Sequence, residues 1–229
     1  LASRSFSPVI TTVAVVPARA ETTAAADTYD EKNPGNLSAG DITGTAAIVM
    51  DYKSGRVLFD KNAKQKLYPA STTKIMTLLL ALEYGHLNET VTIPKDASKV
   101  PKDSSLVPVT PGEKMPFVDL LYGLMMHSGN DAAVAVAIIV AGSTDNFVAM
   151  MNQKARELGC EDTHFANPHG YHDETHYTTA YDLALITREA MKNPTFREIV
   201  SAKSYTMSAT EKREKKKLAT TNSMFVKTS

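Results

Sequence analysis

Residues 71–84 form a helix-length segment that is apolar on almost every side, and this segment restricts the fold most strongly. Its start is placed after Pro69, since proline disfavours helix in the residue before it, and its end at Gly85. The apolar side chains of the segment are Ile75, Met76, Leu78, Leu79, Leu80 and Leu82. A helix of this kind is usually buried inside a domain. The rest of the chain must therefore supply the elements that surround it.

The flanking sequence predicts those elements. Residues 46–50 and 56–59 are strand-like on either side of a turn-like 51–55, which predicts a β-hairpin. Later segments predict a helix over 116–127, a helix over 131–140, a helix capped by Thr144 or Asp145 and running to Leu158, a helix capped by Thr178 or Thr179 and running to Met191, and a strand over 204–208. The order of hairpin, helices and strand predicts an α/β or α+β domain with a buried helical layer.

The two ends of the chain differ in composition from its centre. Residues 9–16 are a short apolar run followed by Ala18-Arg19-Ala20, which predicts that residues 1–20 are the remnant of a secretory signal peptide. The alternative is a mildly apolar, disordered N-terminus. Residues 21–43 predict a flexible linker, and 44–229 the folded domain. Near the other end, the charged run 211–217 is interpreted as a solvated loop or turn between two strands.

Charge and cysteine content exclude two classes of protein. The 229 residues carry 25 Lys and Arg against 25 Asp and Glu, so the chain lacks the positive surplus of a nucleic-acid-binding protein. Cys160 is the only cysteine, which rules out an internal disulfide. We interpret Cys160 as a small buried apolar residue at the end of a helix.

The first candidate for chemistry is Ser71-Thr72-Thr73-Lys74. A serine hydroxyl needs a base before it becomes a good nucleophile. Residues three apart on a helix share a face, so Lys74 is within reach of Ser71. Burial beside an apolar helix would lower the pKa of Lys74 far enough for it to serve as that base. The Ser71 N–H, at the start of the helix, would stabilise an oxyanion.

The second candidate is Ser128-Gly129-Asn130, in the break between two apolar helices. The Ser128 hydroxyl is placed to relay a proton to a leaving amine. The Asn130 amide is placed to bind a substrate amide through its donor and acceptor groups. The bland alternative is a loop in which Asn130 caps the following helix.

Histidines concentrate between residues 164 and 176, close to several carboxylates. Their spacing matches none of the zinc-binding signatures, so we interpret the segment as a structural loop and predict no metal. His169, in an Asn-Pro-His-Gly turn, is interpreted in the same way. The cluster comprises His164, His169, His172 and His176, with Asp162, Asp173 and Glu174.

Together these motifs resemble those of the low-molecular-weight D-alanyl-D-alanine carboxypeptidases, penicillin-binding proteins of the S11 peptidase type. The resemblance covers roughly residues 45–222. The matching stretches are Pro69–Lys74, Gly112-Glu113, Asp119–Leu124, Ser128–Ala132, Phe165–Gly170, His176–Ala180 and Thr221-Asn222. It implies a β-lactamase/transpeptidase-like fold, with an antiparallel sheet and a buried helical layer.

The resemblance also implies roles for the matching residues. Ser71 would attack the penultimate D-alanine of a peptidoglycan pentapeptide stem, with Lys74 as general base. Ser128 would pass a proton to the departing D-alanine, and Asn130 would help to hold the peptide. β-Lactams would acylate Ser71, and neither a cofactor nor a metal is implied. The protein would work outside the cytoplasm in the cell envelope, with membrane association left open through a C-terminal segment that is not part of this sequence.

The family's Lys-Thr-Gly strand has no good match. Lys227-Thr228-Ser229 has serine in place of glycine and follows Asn222 too closely. We expect the sequence to stop before that strand, and therefore assign no carboxylate-binding role to Lys227. We further expect a chain without that strand to be inactive, because strands would remain unpaired.

Two other functions stay open on the residues. A serine β-lactamase would need a carboxylate that activates the deacylating water, and Glu161 is the candidate. A non-catalytic homologue that binds cell-wall peptide would keep the fold without turnover. The intact Ser71, Lys74, Ser128 and Asn130 argue against the second alternative.

Overall fold

The computed structural model describes residues 38–220 with their side chains, and residues 12–16 as backbone. Thr12–Val16 forms strand β1, which pairs in parallel with β2, Ala47–Asp51. Outside the described residues lie the end of the predicted signal-peptide remnant at Ala20, most of the predicted linker 21–43, and the residues Asn222 and Lys227.

The strands of the described residues form three small sheets. In the first, β2 pairs antiparallel with β3, Val57–Lys61, which confirms the predicted hairpin. In the second, β4 (Thr90–Thr92) pairs with β5 (Lys114–Pro116), also antiparallel. In the third, β6 (Ser204–Met207) pairs antiparallel with β7 (Lys216–Ala219). Among the described strands, the pairing of β1 with β2 is parallel and the other three pairings are antiparallel.

The described residues contain six α-helices, and the apolar segment forms the first of them. They are α1 (Lys74–Tyr84), α2 (Phe117–Met126), α3 (Asn130–Ala141), α4 (Thr144–Glu157), α5 (Ala180–Ala190) and α6 (Pro194–Ser201). Helix α1 contacts each of the other five. Seven of its residues are buried, so the prediction of a central buried helix is confirmed.

Helix α3 fits against α1 because its buried face is built from small residues. Its first eight residues, 130–137, are all buried, and four of them are alanine. Small side chains let helix axes approach closely, which brings the N-terminus of α3 next to that of α1. The two helix starts that carry the sequence motifs therefore meet in the core.

Several elements differ from their predictions. The N-cap of α4 is Ser143, whose side chain accepts from the Asn146 N–H, and neither Thr144 nor Asp145 is the cap. Thr179 caps α5, in agreement with prediction. Helix α6 was not predicted, although Asn193 caps it and Pro194 is its first residue. The strands β4 and β5 were not predicted either, because three residues are too few to show a period of two.

The charged run 211–217 covers most of the turn between β6 and β7, as predicted, and the first two residues of β7, but it is not wholly solvated. The Arg213 guanidinium lies 3.0 Å from the carboxylate of the fully buried Glu113. Thr210 donates to the same carboxylate at 2.7 Å. The run therefore anchors the β6–β7 hairpin to the loop before β5.

Among the described residues, no single helix is long and apolar enough to span a membrane. One bent pair, α3 with α4, passes that test of length and composition together, with an angle of 85° between the two helices.

Candidate active site

The turn that carries Ser71 is shaped by the residues before it. Ala70 has a positive φ of 49°, and Ala70–Thr73 forms a 3-10 turn that leads directly into α1. Residues other than glycine rarely adopt a positive φ, and such strain is concentrated at functional sites. The turn leaves Ser71 exposed and directs Lys74 into the core, where only 2% of its surface is accessible.

Lys74 is held by three oxygen atoms. Its Nζ lies 3.3 Å from Ser71 Oγ, 2.8 Å from Asn130 Oδ1 and 2.8 Å from the backbone carbonyl of His169. Burial lowers the pKa of Lys74 to about 7, and the negative charge of Asp131 opposes this shift. Near neutral pH a large fraction of Lys74 is thus an uncharged amine beside the Ser71 hydroxyl.

Asn130 lies at the first position of α3 and uses both ends of its amide. Its Oδ1 accepts from Lys74, and its Nδ2 donates to Ser104 Oγ at 3.1 Å. Its backbone N–H donates to the carbonyl of Ser105 at 2.8 Å. The predicted substrate-binding residue is therefore also part of the shell around Lys74.

Ser128 differs from the other predicted site residues. It has a positive φ of 53°, and its Oγ is buried without a hydrogen-bond partner among the described residues. A buried hydroxyl without a partner is costly, so such a group in a native structure calls for a functional explanation. The structure joins Ser71, Lys74 and Asn130 by hydrogen bonds, whereas Ser128 stands two residues before Asn130 with its hydroxyl unused.

Asp131 supports the opposite wall of the site. Its buried carboxylate accepts from the N–H groups of Val107 at 2.9 Å, Val109 at 3.0 Å and Ala132 at 2.9 Å. These bonds fix the segment 104–109 against the start of α3. Ser104 and Ser105, the partners of Asn130, are held in place by the same segment.

The loop 166–170 supplies contacts that the sequence did not predict. The carbonyl of Pro168 accepts from Thr77 Oγ1 at 2.6 Å, one residue before the carbonyl that binds Lys74. Gly170 has a φ of +85°, and a Cβ placed on it would lie 1.7 Å from the Ala70 carbonyl oxygen. Only glycine permits this approach. The sequence drew attention to this Asn-Pro-His-Gly segment, but what it contributes are the backbone carbonyls of Pro168 and His169 and the absence of a side chain at Gly170.

The histidines serve the loop in different ways. His169 contributes its carbonyl to Lys74, and burial lowers the pKa of its ring to about 4. His176 is buried, and His164 Nδ1 lies 2.6 Å from the carbonyl of Thr175. Within residues 38–220, no three His, Cys, Asp or Glu side chains converge as ligands for a metal ion.

Glu161 and Cys160 were also singled out from the sequence. Glu161 is exposed at a polar cavity of about 250 Å³ that Lys64, Tyr181 and Asp182 also line. Cys160 is buried, and burial raises its pKa to about 12, in agreement with an unreactive apolar role.

An exposed serine beside a buried lysine whose pKa is lowered to about 7 is the arrangement expected of the Ser-x-x-Lys class of proteins, which includes penicillin-binding proteins. The sequence profile of peptidase family S11, described as D-alanyl-D-alanine carboxypeptidase, matches residues 31–229. The chain belongs to this family.

Individual relatives agree with that assignment. The chain is 40% identical over 150 residues to the D-alanyl-D-alanine carboxypeptidase DacF of Bacillus subtilis, covering 64% of the chain and 39% of DacF. It is 38% identical over 189 residues to DacA of Escherichia coli, covering 78% of the chain and 47% of DacA. The chain thus spans less than half the length of these two relatives.

Solved structures confirm the expected fold. The crystal structure of a Mycobacterium tuberculosis D-alanyl-D-alanine carboxypeptidase superposes with a TM-score of 0.76 at 32% identity, covering 85% of this chain and 73% of that one. A mutant of a Streptomyces DD-transpeptidase gives a TM-score of 0.75 at 33% identity, covering 82% and 78%. The predicted penicillin-binding-protein type of α/β fold is therefore confirmed.

Proposed function

We propose that the protein removes the terminal D-alanine from peptidoglycan stem pentapeptides through an acyl-enzyme on Ser71. The observation that carries this proposal is the Lys74 amine, which is buried, has a pKa of about 7 and lies 3.3 Å from the Ser71 hydroxyl. A base with a pKa near the working pH is the most effective for such a proton transfer. Residues 44–229 would form the catalytic domain.

The first half of the reaction follows from this pair. Lys74 takes the proton of Ser71, and Ser71 Oγ forms a bond to the carbonyl carbon of the penultimate D-alanine. The Ser71 N–H, in the turn before α1, stabilises the oxyanion. The C–N bond then breaks, and the amine of the departing D-alanine takes up a proton through the Ser128 hydroxyl.

The orphaned hydroxyl of Ser128 supports its proposed role. Because Ser128 Oγ has no hydrogen-bond partner among the described residues, both its proton and its lone pairs are available to a bound substrate. Asn130 has a double role in the proposal. Its Oδ1 orients the Lys74 amine, and its position at the start of α3 adjoins the space where the peptide would bind.

Water completes the reaction by hydrolysing the ester on Ser71. β-Lactams would acylate the same serine, and since their opened ring stays attached to the acyl group, no leaving group departs. With this substrate, the protein would work outside the cytoplasm, in the cell envelope. Membrane association through a segment outside this sequence belongs to the same proposal.

The experiment is to compare two activities of the full-length protein: release of D-alanine from a peptide ending in D-Ala-D-Ala, and hydrolysis of benzylpenicillin. We expect D-alanine release and slow turnover of penicillin, with both abolished by Ser71→Ala. Fast penicillin hydrolysis without D-alanine release would instead support a β-lactamase. Absence of both activities together with absence of penicillin labelling would support a non-catalytic peptide-binding protein.

A further inference from the structure

The ring of His176 joins two segments of the active site. Only 1% of His176 is accessible, and its ring packs edge-on against Phe165, with the ring centroids 5.6 Å apart. The Ala166 N–H donates to His176 Nδ1 at 3.0 Å, so Nδ1 carries no proton. The ring proton of the neutral imidazole is therefore on Nε2, which donates to Thr73 Oγ1 at 2.8 Å.

Both partners of the ring lie next to groups that hold Lys74. Thr73 is fully buried and immediately precedes Lys74 in the turn that carries Ser71. Ala166 begins the loop whose His169 carbonyl accepts from Lys74. The ring itself belongs to a third segment, which leads into α5. His176 thus connects the turn that carries Lys74 to the loop whose carbonyl binds the Lys74 amine.

The two hydrogen bonds of the ring are not equally important. The loop has fastenings of its own: Asn152 exchanges two hydrogen bonds of 2.8 Å with the backbone of Phe165, and Asn167 Oδ1 accepts from the Gly170 N–H at 2.7 Å. For the Thr73 hydroxyl, by contrast, His176 is the partner that the structure provides. The bond to Thr73 is therefore the one whose loss would leave a buried hydroxyl beside Lys74 without its partner.

We propose that His176 is a positioning residue for acyl transfer, which holds Thr73 so that the Lys74 amine stays buried and within reach of Ser71. This inference rests on the proposed function of the Ser71–Lys74 pair. When the bond to Thr73 is lost, the turn loosens and water reaches the amine. Lys74 then remains protonated to higher pH, and acylation slows at neutral pH.

The test uses two substitutions that each keep one half of the ring's hydrogen bonding. In His176→Asn, the side-chain oxygen lies where Nδ1 was and accepts from Ala166, but the donor to Thr73 is lost. In His176→Gln, the amide nitrogen lies where Nε2 was and still donates to Thr73. Thr73→Val removes the same bond from the other side. Tyr205→Phe is the control, since it removes a partly buried hydrogen bond to Asp119 in a different part of the fold.

The measurement is the second-order rate of acylation by fluorescent penicillin between pH 6 and 10 for the full-length variants, with the thermal midpoint of each. We expect His176→Asn and Thr73→Val to acylate about tenfold more slowly at pH 7, the effect of one hydrogen bond of about 1.4 kcal/mol. In both variants the rate should recover at alkaline pH, because the acid limb of the pH profile moves to higher pH. His176→Gln should stay within about threefold of the wild type.

Other outcomes separate this inference from the function on which it rests. If the unsubstituted protein is not acylated at all, the proposed function is wrong, and this inference is wrong with it. If the protein is acylated but His176→Asn and Thr73→Val keep the wild-type pH profile, His176 has no positioning role. Equal slowing in His176→Asn, His176→Gln and Tyr205→Phe, in proportion to lost stability, also overturns the inference.

Discussion

Replacing Asp131 by asparagine tests how the shell of the site is held together. The Asp131 side chain is buried, and its Oδ1 accepts from the N–H groups of Val107 and Ala132, while Oδ2 accepts from Val109. In Asp131→Asn the remaining carbonyl oxygen still accepts two of these bonds. The new amide NH2 group faces the third donor, the Val109 N–H, which is left buried without an acceptor.

The expected loss of stability follows from the one hydrogen bond that Asp131→Asn removes. A hydrogen bond to a charged group contributes about 1.5–3 kcal/mol, and a buried donor left without a partner costs about 1–3 kcal/mol. Both figures describe the same lost bond to the Val109 N–H, so we expect Asp131→Asn to lower the free energy of unfolding by about 1.5–3 kcal/mol. A second effect has a definite sign. The charge of Asp131 raises the pKa of Lys74, so its removal lowers that pKa further below the wild-type value of about 7.

Two assays check these effects in the full-length protein: urea unfolding, and the pH profile of acylation by penicillin. The acid limb of acylation should move to lower pH, while the unfolding midpoint falls. Asp182→Asn is the matched control, since Asp182 is also buried and accepts from the Asp162 N–H at 3.0 Å and from Thr163 at 2.7 Å. It should lose stability without moving the limb. Unchanged stability in Asp131→Asn, or a limb that moves to higher pH, would refute the reasoning.

Three further predictions concern the same site. The pKa of Lys74 is lowered from 10.5 to about 7, so the rate of acylation should rise as pH increases through about 7. The free energy of unfolding should also rise with pH between about 7 and 10.5, because in this range Lys74 is protonated in the unfolded chain and neutral in the folded one. Both are measured by stopped-flow acylation and by urea unfolding at several pH values. Gly170→Ala should reduce acylation by about a hundredfold or more and lower the thermal midpoint, because its Cβ would overlap the carbonyl of Ala70. Gly142→Ala, at a similar φ of +80° with no atom within 4 Å, should cost only about 1 kcal/mol and leave acylation unchanged, and equal effects at the two glycines would contradict this account. Ser128→Ala should leave the thermal midpoint unchanged or slightly raised, because it removes a buried hydroxyl that has no partner among the described residues. D-alanine release should slow at least about a hundredfold, and normal turnover would exclude the proton relay.

The sequence predicted the parts of the site that depend on local geometry. Ser71 and Lys74 are three residues apart at a helix start, and this spacing alone places one side chain near the other. The apolar run that follows predicts burial, and burial is the main reason for the lowered pKa of Lys74. The central position of α1 was predictable for the same reason.

The contacts between distant segments could not be predicted in that way. The His169 carbonyl is a backbone atom, so no residue type marks its role, and it reaches Lys74 only after the chain has passed through three further helices. Asn130 was expected to bind substrate, but its Oδ1 accepts from Lys74, a pairing set by the packing of α3 against α1. Helix α6 had the signal of Asn193-Pro194, but its eight residues are too few for a clear helical period.

The central claim is that Ser71 is the nucleophile and that Lys74 activates it. The most direct measurement is to label the full-length protein with penicillin, digest it, and locate the adduct by mass spectrometry. We predict a single adduct on Ser71, abolished by Ser71→Ala and kept by Thr72→Ala, whose hydroxyl donates to the Pro69 carbonyl. An adduct on any other residue, or labelling that persists in Ser71→Ala, would contradict the account.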